Sequence, residues 1–203
     1  ALIVLGQQCH AGDFTLIAED ENNISYHYTG GVTWGDAAKL ETLCEDTEKE
    51  VLVMIDSPGG SAYEGIRLYW MAKKHDVTTC AGWRFGAYSA AAMFWLGGDE
   101  MLVDGSIVGF HLAYCDTVNP PGCDTADIDG EFYKCLVDAV GRKEATSMMM
   151  KMLRVLDNHG TNGFLIYSQF DGNVTEVEIK LTGGPTAESP APLTPDEAGS
   201  KQD

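Results

Sequence analysis

The chain has 203 residues, of which 44% are hydrophobic and 22% charged, and its formal net charge at pH 7 is -18. This length and composition are typical of one globular domain with a sizeable core. The strong negative charge argues against nucleic acid and anionic membrane surfaces as partners. No apolar run is long enough to insert into a membrane as a spanning helix.

The two ends of the chain differ in composition from its middle. Residues 1–6 are apolar, which fits either a first strand or the end of a signal peptide's apolar region. The compartment therefore stays open: a soluble protein is expected, cytoplasmic or else periplasmic or secreted. Residues 183–203 are rich in Pro, Ala, Ser, Thr and acids, and we expect a disordered tail there. Residues 1–182 are left as the predicted domain.

The six cysteines form no CxxC pair, which argues against a zinc ribbon or a thioredoxin-type site. Cys115 and Cys123 flank a Pro-Pro-Gly segment. Two interpretations stay open: these two cysteines form a disulfide in an oxidising compartment, or all six cysteines are free thiols or fill the core.

Strand-like and helix-like segments alternate along the chain. In chain order, the predictions are a strand at 24–30, a helix at 34–46, a buried parallel strand at 51–56, a helix at 61–75, a strand at 77–82, a buried helix at 89–96, strands at 100–103 and 106–114, and a long helix at 130–157. The second helix is predicted to bury Ile66, Tyr69 and Trp70, and the last to break near Gly141. Such alternation is typical of an α/β domain with a mostly parallel central sheet.

A Ser-Pro-Gly-Gly turn follows the strand at 51–56 and precedes a helix. Gly59 and Gly60 leave backbone N–H groups bare at the carboxyl end of that strand and allow another chain to approach. Such donors can bind a carbonyl oxygen that becomes negative during a reaction. The simpler interpretation is a tight turn that binds nothing.

Ser89 is the single hydroxyl within an apolar run and stands at the start of the predicted helix. A nucleophile there has its oxyanion stabilised by the next backbone N–H group, that of Ala90. Alternatively, Ser89 only caps the helix.

His111 lies within the strand predicted at 106–114, in which Ile107, Gly109 and His111 share one face. Because Gly109 has no side chain, it leaves room beside the imidazole. A lone histidine on a strand is also compatible with an ordinary core position.

The order of these pieces is more specific than any one of them. The segments 28–43, 51–82 and 87–111 together resemble the Clp (caseinolytic) protease family, and the resemblance extends over residues 24–111. It implies the ClpP/crotonase-like fold, a spiral of β-β-α units around a mostly parallel sheet. It also implies a serine peptidase that hydrolyses peptide bonds without a metal or an organic cofactor.

The resemblance further implies a role for each matching residue. Ser89 matches the nucleophile and His111 the general base, while Gly60 and Ala90 match the oxyanion-hole donors. The third catalytic residue precedes a Phe-Leu pair in the family. Asp157 is the best match for it here, and Asn158 is the alternative.

Gly59 and Ser61, on either side of Gly60, are predicted to contact substrate. The resemblance implies a peptide or unfolded protein as substrate and a homo-oligomer as assembly, and it leaves an ATPase partner open. Two other functions fit the same fold: an inactive scaffold, and a crotonase-type enzyme acting on acyl-CoA. The chain lacks an evident basic patch for the phosphates of CoA.

Overall fold

The computed structural model describes residues 10–82, 86–99, 101–102, 106–113, 125–160, 163–170 and 173–180. Nine strands and five helices lie within these ranges. The first half, in chain order, comprises β1 (Asp13–Glu19), β2 (Asn23–Thr29), α1 (Asp36–Glu45), β3 (Glu50–Asp56), α2 (Ala62–Lys74), β4 (Thr78–Ala81) and β5 (Ala87–Tyr88). The second half comprises α3 (Ala90–Leu96), β6 (Met101–Leu102), β7 (Ile107–Phe110), α4 (Thr125–Val140), α5 (Arg142–His159), β8 (Gly163–Phe170) and β9 (Asn173–Lys180).

The central sheet has five strands in the order β1-β2-β3-β4-β6. Only β1 and β2 pair antiparallel, and the other three pairings are parallel. Alternate residues of β2 and β3 are buried on one face, as expected for strands that pack against helices. The predicted α/β class with a mostly parallel central sheet is confirmed.

A second sheet has the order β5-β7-β8-β9. β5 and β7 pair parallel, whereas β8 is antiparallel to both of its neighbours. The sequence interpretation missed β1 and the β8–β9 hairpin. A signal for the hairpin is present in the sequence. An Asp-Gly pair, which favours a tight turn, stands at 171–172 between a run rich in β-forming residues and a run of alternating polar and apolar residues.

Most of the other predicted elements are present, with three corrections. Trp70 was expected to face inward but is 44% exposed, and it packs edge-on against buried Tyr69. The strand predicted at 106–114 ends at Phe110 among the described residues. The last predicted helix begins earlier, at Thr125, and is two helices. They are separated, as predicted, at Gly141, whose φ of +80° is a left-handed conformation that favours glycine.

Backbone hydrogen bonds join the two sheets at Ser57, directly after β3. The Ser57 N–H donates to the Gly86 carbonyl at 2.9 Å, and the Tyr88 N–H donates to the Ser57 carbonyl at 3.1 Å. The carboxyl end of β3 therefore lies beside the short strand β5 that leads into Ser89.

A buried carboxylate fixes the helix that follows the glycine turn. Glu64, fully buried in the first turn of α2, accepts hydrogen bonds from the N–H groups of Gly35 and Ala37 at the start of α1, at 3.1 and 2.8 Å. Arg67 balances its charge at 2.9 Å. One side chain thereby caps α1 and ties it to α2.

Several sequence predictions fall outside the described residues. These are the first strand or signal segment at 1–6, the tail at 183–203, and the pair Cys115 and Cys123. The domain boundary at residue 182 stays a prediction. Three described cysteines, Cys44, Cys80 and Cys135, are free thiols. Over the described ranges, no helix combines the length and apolar character that crossing a bilayer requires.

Candidate active site

Ser89 lies at the turn between β5 and α3 in an unusual backbone conformation. Its φ is +56° and its ψ is -122°, a combination that non-glycine residues rarely adopt. Such strain persists only where the surrounding structure imposes it, and it is common at functional sites. The side chain makes no capping hydrogen bond to α3, so the interpretation of Ser89 as a simple helix cap is wrong.

Strand register brings His111 to Ser89. β5 pairs with β7 so that Tyr88 lies opposite Gly109, and the Ser89 N–H donates to the Gly109 carbonyl at 2.8 Å. His111 comes two residues after Gly109. Its Nε2 lies 2.6 Å from the Ser89 Oγ, within hydrogen-bond distance.

The imidazole of His111 is held in largely apolar surroundings. Its ring centroid lies 4.5 Å from that of Phe164 on β8, which also packs edge-on against Tyr88. Burial lowers the pKa of His111 to about 4. The imidazole is therefore neutral at pH 7, and an unprotonated Nε2 can accept a proton from the Ser89 hydroxyl. Phe164 belongs to the Phe-Leu pair that follows Asp157 in the chain, and no local pattern in the sequence indicated its contact with His111.

The glycine turn closes the site from the other side. The backbone at Gly59 lies so near Ser89 that an added Cβ would come within 2.6 Å of the Ser89 Cβ and 3.1 Å of the Ala90 nitrogen. Gly60 lies opposite Val32 in an isolated parallel bridge, whose two hydrogen bonds are made by the Gly59 carbonyl and the Ser61 N–H. Within the described residues, no acceptor takes the N–H of Gly60 or of Ala90.

Ser61 has a structural partner of its own. Its side chain accepts a hydrogen bond from the Glu64 N–H at 3.4 Å and so caps α2. Gly59 is buried against the Ser89 turn. Contact of Gly59 and Ser61 with substrate stays a prediction.

Asp157 and Asn158 lie in the last turn of α5, and both are exposed. No hydrogen bond or ion pair between described residues joins Asp157 to His111. Neither of these two candidates for the third catalytic residue is held in hydrogen-bond contact with the imidazole, as Ser89 is. The predicted role of Asp157 stays a prediction.

Ser89 and His111 line one cavity, whose wall is mostly apolar. Its apolar lining includes Ile66, Met93, Phe110, Ile128 and Phe132. Among the described residues that line it, Asp129 on α4 is the only carboxylate. The arrangement places a hydroxyl, a neutral imidazole and two backbone N–H groups beside an apolar pocket.

A separate cluster on α1 and α2 contains side chains that can bind metals. Ligand atoms of Glu41, Glu45 and His75 lie within 4.8 Å of one another. The Lys74 ammonium is 2.6 Å from Glu41, and this hydrogen bond lowers the pKa of that carboxyl. A protein cation is therefore already paired with this cluster, which shares no lining residue with the Ser89 cavity.

Residues 28–102 match the model of the Clp protease family. Over this part of its length the chain is similar to the Clp protease family. The match contains the glycine turn and Ser89 and ends before His111. No curated protein matches the chain.

Two solved structures are also similar to this chain. ClpP1 from Listeria monocytogenes is 16% identical with a TM-score of 0.45, and the similarity covers 61% of this chain and 76% of that one. The ClpP protease catalytic domain from Plasmodium falciparum is 16% identical with a TM-score of 0.47, over 61% of this chain and 70% of that one.

Proposed function

We propose that this chain is a serine peptidase in which Ser89 is the nucleophile and His111 the general base. The observation that carries the proposal is the 2.6 Å separation of the Ser89 Oγ and the His111 Nε2 at the edge of an apolar cavity. A nucleophile and a base in direct hydrogen-bond contact are the minimum for acyl transfer by serine.

The reaction begins when the Ser89 Oγ attacks the carbonyl carbon of a peptide bond. A new C–O bond forms as the hydroxyl proton moves to the His111 Nε2, and the carbonyl oxygen becomes an oxyanion. The imidazolium then returns that proton to the leaving amine, the C–N bond breaks, and an acyl-enzyme remains. Water then attacks the ester carbonyl carbon as the His111 Nε2 takes its proton. The C–O bond to Ser89 breaks, the imidazolium gives the proton to the Ser89 Oγ, and the acid is released.

The proposed oxyanion donors are the N–H groups of Gly60 and Ala90. The close approach of the glycine turn to Ser89 and the absence of acceptors for these two groups among the described residues support this role. Donors that are already oriented stabilise the developing negative charge without reorganisation.

The proposal is tested with short peptide esters, amides and acyl-CoA thioesters incubated with the purified full chain. Turnover of esters and amides that a fluorophosphonate blocks supports the peptidase. Turnover of acyl-CoA alone, with no effect of the fluorophosphonate, would favour the crotonase-type chemistry. No turnover and no labelling of folded protein would favour an inactive scaffold.

The pH dependence of kcat/KM follows from the state of His111 in the free protein. Because the neutral imidazole is required and burial lowers its pKa to about 4, activity should stay level as the pH falls from 7 and decline only near pH 4. With an ordinary imidazole, about half of the activity would already be lost at pH 6.5. An acidic limb at pH 6 or above, with folding unchanged by circular dichroism, would contradict the assignment.

Asp157 remains the proposed third residue. Its proposed role is to orient the His111 imidazole when substrate is bound, and kcat measures the effect of groups in that complex. If it orients the imidazole there, Asp157→Asn lowers kcat about 10⁴-fold. A rate within a few-fold of wild type together with a strong loss in Asn158→Ala would assign the role to Asn158. If neither variant changes the rate, the site is a Ser-His dyad.

A peptide or an unfolded protein segment is the proposed substrate class, and a homo-oligomer is the proposed assembly. Exposed Met150 and Leu153, one turn apart on α5, provide an apolar surface on which a second copy can pack. The identity of any ATPase partner stays open.

A further inference from the structure

Asp129 places a carboxylate in the cavity that contains Ser89 and His111. The residue lies in the second turn of α4, between apolar Ile128 and the Phe132 ring that also line the wall. Placing a carboxylate in an apolar wall costs free energy, because burial disfavours its charged form. Burial does raise the pKa of Asp129 above its usual value.

Among the described residues, one oxygen of Asp129 has a hydrogen-bond donor and the other has none. Oδ1 accepts a hydrogen bond from the Ala113 N–H at 3.0 Å, two residues after His111. This bond ties the carboxylate to the same segment that carries the general base. No hydrogen bond or ion pair from another described residue reaches Oδ2.

A partly buried carboxylate with no cation beside it is costly, and a cation supplied by a ligand removes that cost. Lysine and arginine suit this cavity, because their aliphatic stems pack on apolar walls while their charged ends reach an acid. The net charge of -18 also attracts cationic segments and repels acidic ones.

We propose that Asp129 is a specificity-determining residue that selects peptides with lysine or arginine next to the scissile bond. The inference rests on the proposed peptidase function and adds its substrate class. Asp129 acts by binding the substrate side chain, not by assisting His111.

The kinetic test uses fluorogenic peptides that differ only in the residue on the acyl side of the scissile bond: lysine, arginine or norleucine. Wild type should favour the basic peptides. Asp129→Asn should lower the ratio of kcat/KM for lysine over norleucine at least about 30-fold, as expected when one partner of a buried ion pair is lost. Asp127→Asn is the matched control, because it removes the same charge from an exposed position on the same helix and should leave the ratio unchanged.

Two results would overturn the inference while leaving the peptidase intact. One is a wild-type preference for norleucine. The other is an equal loss of lysine and norleucine turnover in Asp129→Asn, together with slower fluorophosphonate labelling, which would place Asp129 with the Ser89–His111 pair.

A binding measurement separates this inference from the catalytic proposal. In a Ser89→Ala background, calorimetry should show tighter binding of the lysine peptide than of the norleucine peptide. The preference should vanish in Ser89→Ala with Asp129→Asn. If the preference for lysine persists in the double variant, Asp129 does not select the basic side chain of the substrate. This conclusion holds whether or not the wild-type chain hydrolyses any peptide.

Discussion

Replacing Ser89 by alanine should lower the hydrolysis of peptide esters by about 10⁶-fold. The oxygen that the substitution removes is the one that lies 2.6 Å from the His111 Nε2, and no acyl-enzyme can form without it. The remaining activity should come from binding and backbone donors alone. Single-turnover assays with a peptide p-nitrophenyl ester measure the loss.

The control for this variant is Ser25→Ala, which removes the same atom from a partly buried position on β2. Ser25→Ala should hydrolyse the ester at the wild-type rate. Ser89 adopts a positive φ that alanine tolerates poorly, so the thermal unfolding of Ser89→Ala is measured beside its activity. A folded Ser89→Ala protein with a rate within tenfold of wild type would show that Ser89 is not the nucleophile.

The second large effect is expected at Gly60. Its φ is +152°, and an added Cβ would come 2.3 Å from the Val32 carbonyl oxygen, so the backbone of the turn must move to accept a side chain. Gly60→Val therefore displaces the proposed oxyanion donor, and loss of one such donor costs about 10²–10³-fold in turnover. Displacement of the neighbouring Gly59, which abuts Ser89, should deepen the loss.

Gly141→Val is the matched control for Gly60→Val. Gly141 also has a positive φ, +80°, but a Cβ there meets no other atom within 4 Å. This variant has the backbone strain of a valine at positive φ without a collision near the site, and its kcat should equal that of wild type. Full activity in a folded Gly60→Val protein would contradict the oxyanion role of the turn.

The sequence predicted those elements whose pattern lies within one short stretch of the chain. The apolar run that ends in Ser-Pro-Gly-Gly predicted β3 and the turn after it. The small-residue run after Ser89 predicted α3. The motif order then paired Ser89 with His111, although 22 residues separate them in the chain.

The remaining features depend on contacts between distant segments, which periodicity does not encode. Glu64 looks like an ordinary acid in the first turn of a helix, yet its acceptors satisfy N–H groups 27 and 29 residues away. Phe164 fixes the His111 ring from β8, a strand that the sequence interpretation did not include. The positive φ of Ser89 also has no local signal, since glycine is the usual residue for that conformation.

The central claim, that Ser89 is a nucleophile activated by His111, is tested most directly by locating the adduct of a fluorophosphonate. The wild-type chain and a His111→Ala variant are labelled, digested and analysed by peptide mass spectrometry. We expect a single phosphonyl group on Ser89 in wild type and a rate of labelling at least about 100-fold lower without the imidazole, since a positioned base contributes about 10²–10⁴-fold. A folded wild-type chain that takes up no label at Ser89, or that labels equally fast without His111, would contradict it.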